Sequence, residues 1–259
     1  MKKAGKLLVA LWAGLSLSAW AQAPEPGTWS VGAFVGTKWE RFSYNDPAGG
    51  LLRRNPGRAV YGLDIAHQIS RRFRFETGLF RNLYWAPASA FHADQPSASV
   101  RTRPDFLPIH IPVRLYGAVF VAEGRRLFFE AGALVGGGRS LPNEPFTAGS
   151  ETTLPSGLTY QRRDELLRSR VTYADAGLYA RLLVARHLSV QVRYGRQFGA
   201  PAVLRSTITY RSVGEPAFNE ATVTSRGHNQ YVAFGLAYQF GKRGTTYWGR
   251  PIAPPGRFY

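Results

Sequence analysis

The stretch FRFETGLFRN (Phe73–Asn82) decides the fold. Phe73, Phe75 and Leu79 alternate with Arg74, Glu76, Gly78 and Asn82, and a period of two belongs to an extended strand with one greasy and one polar face. A soluble sandwich would also show alternation, but its core could not accept a carboxylate in mid-strand without a large desolvation cost. The strand therefore calls for an apolar environment on its greasy side and an enclosed polar one on the other.

Seven further segments repeat the pattern. Trp29, Val31, Ala33, Val35 and Trp39 oppose Ser30, Gly32, Gly36 and Lys38. Tyr61, Leu63 and Ile65 oppose Gly62 and Asp64. Leu107, Ile109, Ile111, Val113 and Leu115 oppose His110, Arg114 and Tyr116, and Leu127, Phe129, Ala131, Ala133 and Val135 oppose Glu130 and Gly132. Ala174, Ala176, Leu178, Ala180 and Leu182 oppose Tyr173, Asp175, Tyr179 and Arg181. Leu188, Val190, Val192 and Tyr194 oppose Ser189, Gln191 and Arg193. Last, Val232, Phe234, Leu236, Tyr238 and Phe240 oppose Tyr231, Gly235 and Gln239.

Eight such strands, each about ten residues or more, match the length a tilted strand needs to cross a hydrocarbon layer. The connections at Gln68–Arg71, Ala122–Arg125 and Ala185–Arg186 are short. Those around Asn45–Pro56, Pro87–Asp105, Ser140–Arg170 and Gly199–Gly227 are long and rich in Gly, Pro, Ser and Asn. Short turns at one end and long loops at the other predict an all-β fold, an eight-stranded antiparallel up-and-down transmembrane β-barrel, with turns and termini periplasmic. Asp64, Glu76, Arg114, Glu130, Asp175, Arg181 and Arg193 would then point inward as a structural network in which four acids face three arginines. Trp29, Phe73 and Phe240 would mark one membrane interface, and Trp39, Tyr61, Trp85 and Phe198 the other.

The N-terminus fits export. Lys2, Lys3 and Lys6 precede an apolar run from Leu7 to Leu17, and Ala19-Trp20-Ala21 supplies small residues for cleavage after Ala21. Residues 1–21 read as a signal peptide, 22–28 as a short N-terminal segment, 29–240 as the barrel and 241–259 as a basic periplasmic tail. That tail carries Lys242, Arg243, Arg250 and Arg257 with no acid, and three prolines. The chain has no cysteine, which excludes disulfides and a lipidated N-terminal cysteine. Its formal charge is +17, or +14 without the three signal lysines. The excess favours anionic partners, lipopolysaccharide phosphates and acidic lipids among them, and nucleic acid is not an expected partner of an exported chain.

Pro108 and Pro112 share the inward parity of one strand, where proline predicts a bulge or relaxed pairing. The surrounding hairpin, LPIHIPVRLYGAVF followed by RRLFFEAGALVGG, resembles the PorT-like outer-membrane barrels through Ile111, Pro112, Phe128, Ala131 and Gly132. The resemblance implies a small barrel of OmpA or OmpX size in the outer membrane. The last strand, YVAFGLAYQF (Tyr231–Phe240), is similar to the closing-strand signal read by the barrel-assembly machinery, with Gly235, Tyr238 and Phe240 in place. Ala233 stands where that signal usually has a polar residue.

An eight-stranded barrel is just wide enough to be filled by its own side chains, so the inward charges read first as a plug, with a narrow pore or transporter as the competing class. A secretion-accessory role is a further alternative. A lipid A-modifying enzyme is the third, because His187 and Ser189 share a strand face, although no acid lies nearby in sequence to orient the histidine. His67, His92, His110 and His228 show no metal-ligand spacing, and Gly136-Gly137-Gly138 lacks the Lys-Ser/Thr of a phosphate loop. No cofactor is expected. Arg81 and Arg196 have lipid-facing parity near the outer strand ends, where they either reach lipopolysaccharide phosphates or snorkel to water. The loops are the expected surface-binding region. Gln161–Arg168 reads as a helical turn or a solvated ribbon, and Val203–Tyr210 with Ala221–Thr224 as a hairpin extending the last two strands, whose edge could accept a partner strand. The expectation is a monomeric, non-catalytic barrel with a structural or surface-binding role.

Overall fold

The computed structural model describes residues 24–49, 57–82, 108–123, 128–142, 147–153, 159–185, 187–199, 202–211 and 216–240. The signal peptide, the basic tail, Trp85, His92, Leu107 and Leu127 lie outside the described residues. Among the described residues, eleven strands form one antiparallel sheet that closes on itself. Eight of them make the barrel: β1 (Trp29–Asn45), β2 (Arg58–Gln68), β3 (Phe73–Asn82), β4 (Ile109–Glu123), β5 (Phe128–Ser140), β8 (Thr172–Ala185), β9 (Leu188–Gly199) and β11 (Asn219–Phe240). Closure is by pairing of the first and last strands, from Trp29 opposite Phe240 to Asn45 opposite Thr222. The stretch that resembles a closing-strand signal is therefore the seam.

Every barrel strand keeps the predicted parity. Val35, Leu63, Leu79, Val113, Val135, Leu178, Phe234 and Leu236 are exposed outside, while Asp64, Glu76, Arg114, Glu130, Asp175, Arg181 and Arg193 are buried inside. Trp29, Phe73 and Phe240 ring the turn end, and Trp39, Tyr61 and Phe198 lie toward the loop end, all exposed. In the β2–β3 turn the Ser70 hydroxyl accepts the Phe73 amide at 3.2 Å, and the Gln68 side chain donates to the Ser70 carbonyl at 2.7 Å. Pro112 has the predicted effect. The β3–β4 ladder runs from Phe73 to Thr77, breaks opposite Pro112 and resumes at Phe80, and the Thr77 hydroxyl bridges the break by donating to the Pro112 carbonyl at 2.8 Å.

Three further strands lie outside the barrel wall, and two of them, β6 and β7, were not expected. β6 (Thr147–Thr153), β7 (Thr159–Leu166) and β10 (Leu204–Arg211) stand above the barrel at its loop end and continue its wall in the order β11-β10-β7-β6. Gln161–Leu166 is thus a strand with Arg162 and Asp164 buried, neither a helical turn nor a solvated ribbon. Val203–Tyr210 does pair with the outer part of β11, but its other edge is covered by β7, so the open edge proposed for strand addition is not there. The seam rises to meet this upper sheet through a register shift, where Glu40 faces Asn229 but Phe42 faces Ser225. Gly227, at φ +63°, turns the extra residues of β11 in a conformation that a side chain would strain. Phe42, Tyr44, Tyr160, Leu204, Ile208, Tyr210, Ala221 and Val223 pack together on the face continuous with the barrel interior.

The inside-out pattern makes a direct prediction. Leu63, 61% exposed in the middle of β2, should tolerate a polar residue poorly if it faces lipid. Leu63→Arg is expected to cost about 2–4 kcal/mol in vesicle-reconstituted unfolding by urea. A neutral or stabilising effect would mean that the exterior faces water.

Candidate functional site: the charged lumen

The interior is layered. At the turn end Phe128 packs on Leu183, and Arg181 donates to Glu130 at 3.3 Å. Above them Tyr116, Leu134 and Tyr179 form a second apolar group, with the Tyr116 and Tyr179 rings edge to face at 5.0 Å. Arg74 lies over the Tyr116 ring at 4.3 Å and donates to the Gln191 side-chain oxygen at 3.0 Å.

The centre is a continuous chain of alternating charge. Arg193 donates to Asp64 at 2.7 Å and to Glu76 at 2.9 Å. Arg114 donates to Glu76 at 3.3 Å and to Asp175 at 2.6 Å. Glu76 thus holds two guanidinium groups and also accepts the Tyr116 hydroxyl at 2.9 Å, while the Tyr231 hydroxyl donates to Asp175 at 3.0 Å. These residues come from β2, β3, β4, β8, β9 and β11, so the chain crosses the lumen from wall to wall. Charged hydrogen bonds in a low dielectric are strong, and each carboxylate here answers the desolvation of its guanidinium partner.

Above the chain, Phe34, Val60, Phe80, Tyr173, Tyr231 and Ala233 close the bore, and His110 stacks on Phe80 at 5.0 Å. A partly open void of about 10 Å³ beside Arg114 and Arg193 has room for at most one water. Lys38 and Glu40 pair at 3.6 Å next to the upper sheet, and Ser225 donates to Glu40. In that sheet Arg162 donates to Asp164 at 2.7 Å and to Ser206 at 3.2 Å, with Ser206 donating in turn to Asp164.

All seven predicted network residues are brought together in this way, in two groups. The sequence reading missed Arg74, although its parity is inward, and it missed the pairs Lys38–Glu40 and Arg162–Asp164. With these included, six acids balance six bases among the buried described residues, and the formal excess of +17 lies outside that set. Other predicted residues are not assembled into one site. Arg81 is on β3 and Arg196 on β9, with three barrel strands between them either way round, and the Arg196 guanidinium is 5.4 Å from the Phe198 ring. His187 Nδ1 lies 3.1 Å from the Gln239 carbonyl, and Ser189 donates to the Ala237 carbonyl at 3.4 Å, both at the turn end. Of the closing-strand signal, Tyr238 and Phe240 are exposed outside near the turn end, and Gly235 lies inside against Gln191.

No family model and no curated protein matches the sequence. Among solved structures, the chain is similar to the outer membrane protein OprG from Pseudomonas aeruginosa, at 10% identity over 86% of this chain and 100% of that one, TM-score 0.33. It is likewise similar to the E. coli outer membrane protein W, at 14% identity over 83% and 99%, TM-score 0.36. A third is outer membrane protein AlkL, at 16% identity over 89% and 98%, TM-score 0.32. The barrel assignment stands on the chain's own strand pairing.

Glu76 is the centre of the network, and its removal has a definite consequence. Glu76→Ala leaves Arg114 and Arg193 short of countercharge in a buried site and is expected to destabilise the barrel by about 3–5 kcal/mol. Glu76 and Arg193 are in contact, so the double variant Glu76→Ala/Arg193→Met should cost less than the sum of the singles in denaturant titrations. Additive costs would show that the two act independently.

Proposed function

We propose that this chain is an integral outer-membrane barrel, sealed through its lumen, that acts at its loop end as a structural or surface-binding protein without catalysis. The observation that carries this reading is the combination of an apolar exterior with a lumen occupied by the Asp64–Arg193–Glu76–Arg114–Asp175 chain. A conducting pore needs a continuous polar path. Here side chains from six strands bond across the bore, with apolar layers on either side of them.

In this reading the signal peptide delivers the chain to the periplasm, and the assembly machinery recognises Gly235, Tyr238 and Phe240 on β11. The short turns and both termini face the periplasm, and the upper sheet faces outward. The likeness of the Ile111-to-Gly132 hairpin to the PorT-like barrels fits the same placement. A monomer suffices, because closure by β1 and β11 leaves no barrel edge to be covered by a second copy. His187 and Ser189 serve the wall, since each engages a backbone carbonyl of β11.

In planar lipid bilayers the purified protein should give no reproducible single-channel steps. Regular steps of constant amplitude would overturn the sealed-barrel reading in favour of a pore. Lipid A acyl patterns in cells producing His187→Ala or Ser189→Ala should match those of cells producing the unaltered chain, and a difference would indicate an enzyme.

A further inference from the structure

The outer wall is not uniformly convex. A shallow, wide-open depression of about 780 Å³ lies on the exterior of β4, β5 and β8 near the loop end. Its floor is apolar. Ile111, Val113 and Leu141 are all exposed there, and Gly137 contributes no side chain to the outward face of β5. Arg139 and Arg170 stand at its outer end.

The strand register adds a third cation. Arg81 lies opposite Ile109, the Leu141 amide donates to the Ile109 carbonyl at 2.8 Å, and Arg139 lies opposite both Ile111 and Thr172. Arg81 and Arg170 therefore flank the outermost row of the depression, and Arg139 stands one outward position further in. The ladder places no carboxylate opposite Arg81 or Arg139. Among the described residues none of the three arginines has an ion-pair partner, whereas every buried arginine from Arg114 to Arg193 has one.

Three guanidinium groups with no ion-pair partner among the described residues, above an apolar furrow, match a lipid with phosphates at its head and acyl chains below. We propose that this depression is a binding site for lipid A, with acyl chains on Ile111, Val113 and Gly137 and phosphate oxygens held by Arg139, Arg170 and Arg81. The proposal rests on the outer-membrane reading above, which puts the loop end in the outer leaflet. Guanidinium forks suit phosphate because two parallel N–H groups meet two oxygens at once.

The test uses the full mature barrel in detergent and native mass spectrometry, with purified diphosphoryl lipid A, monophosphoryl lipid A and phosphatidylglycerol as separate probes. Expected is one retained diphosphoryl lipid A, weaker retention of the monophosphoryl form, and at least a ten-fold loss in Arg139→Gln/Arg170→Gln. Arg139→Lys should bind more weakly than the unaltered chain but better than Arg139→Gln, since the point charge remains while the fork is lost. Val113→Trp should weaken retention with all three arginines intact, because it fills the furrow from the outside wall. Arg41→Gln, on β1 and away from the depression, should bind as the unaltered chain does. Equal retention by the arginine variants, or phosphatidylglycerol retained as well as lipid A, would overturn the site. Heat-modifiable electrophoretic migration is recorded for every variant. Its loss in the unaltered chain would defeat the outer-membrane barrel reading itself, whereas its retention with unchanged lipid A binding would defeat only this inference.

Discussion

The structure depends on the fact that charge placed inside a narrow barrel must be answered there. Glu76 does this for two arginines at once, and Asp64 and Asp175 complete what it leaves unpaired. Because the partners sit on strands far apart in sequence, the pairing also fixes which strands face one another across the bore. A one-residue slip of any barrel strand would turn its charges outward and its apolar residues inward. The ion chain therefore acts on register as well as on stability. Its electrostatic gain is offset in part by desolvation, so specificity of closure is its clearer contribution.

The exterior follows from the same parity. With polar groups committed inward, the outward positions are free to be apolar, and closure through β1 and β11 removes the barrel's unpaired backbone edge. The upper sheet then adds a second compact unit on the loop side, with its own buried pair, Arg162 and Asp164, and an aromatic-rich cluster.

Most of the barrel was legible in the sequence, because period-two alternation with charges on the second face has few alternatives. All eight wall strands and the seven network residues could be read from parity. The pairing could not, since Arg193 meeting Asp64 and Glu76 requires the register between β2, β3 and β9. Arg74 has the inward parity, but its partners are a glutamine and a tyrosine ring rather than an acid, so nothing in the sequence ties it to the ion chain. β10 was legible as a hairpin strand beside the outer part of β11, whereas β6 and β7 were hidden for a different reason. Their alternation is between polar residues, as in Gln161, Arg162, Arg163 and Asp164, so no greasy face announces them. Arg139 and Arg170 were invisible as neighbours because they are brought together only by the pairing of β5 with β8.

The account stands on one claim, that the apolar face of each wall strand meets lipid while the charged face is enclosed. The chain has no cysteine, so single cysteines can be introduced along β2 and spin-labelled in reconstituted vesicles. Labels at Tyr61, Leu63 and Ile65 should collide with oxygen dissolved in the bilayer and be shielded from a water-soluble nickel reagent. Labels at Gly62, Asp64 and Ala66 should be shielded from both. Nickel access at Leu63 equal to that of a loop position would contradict the account, because the greasy face would then be in water.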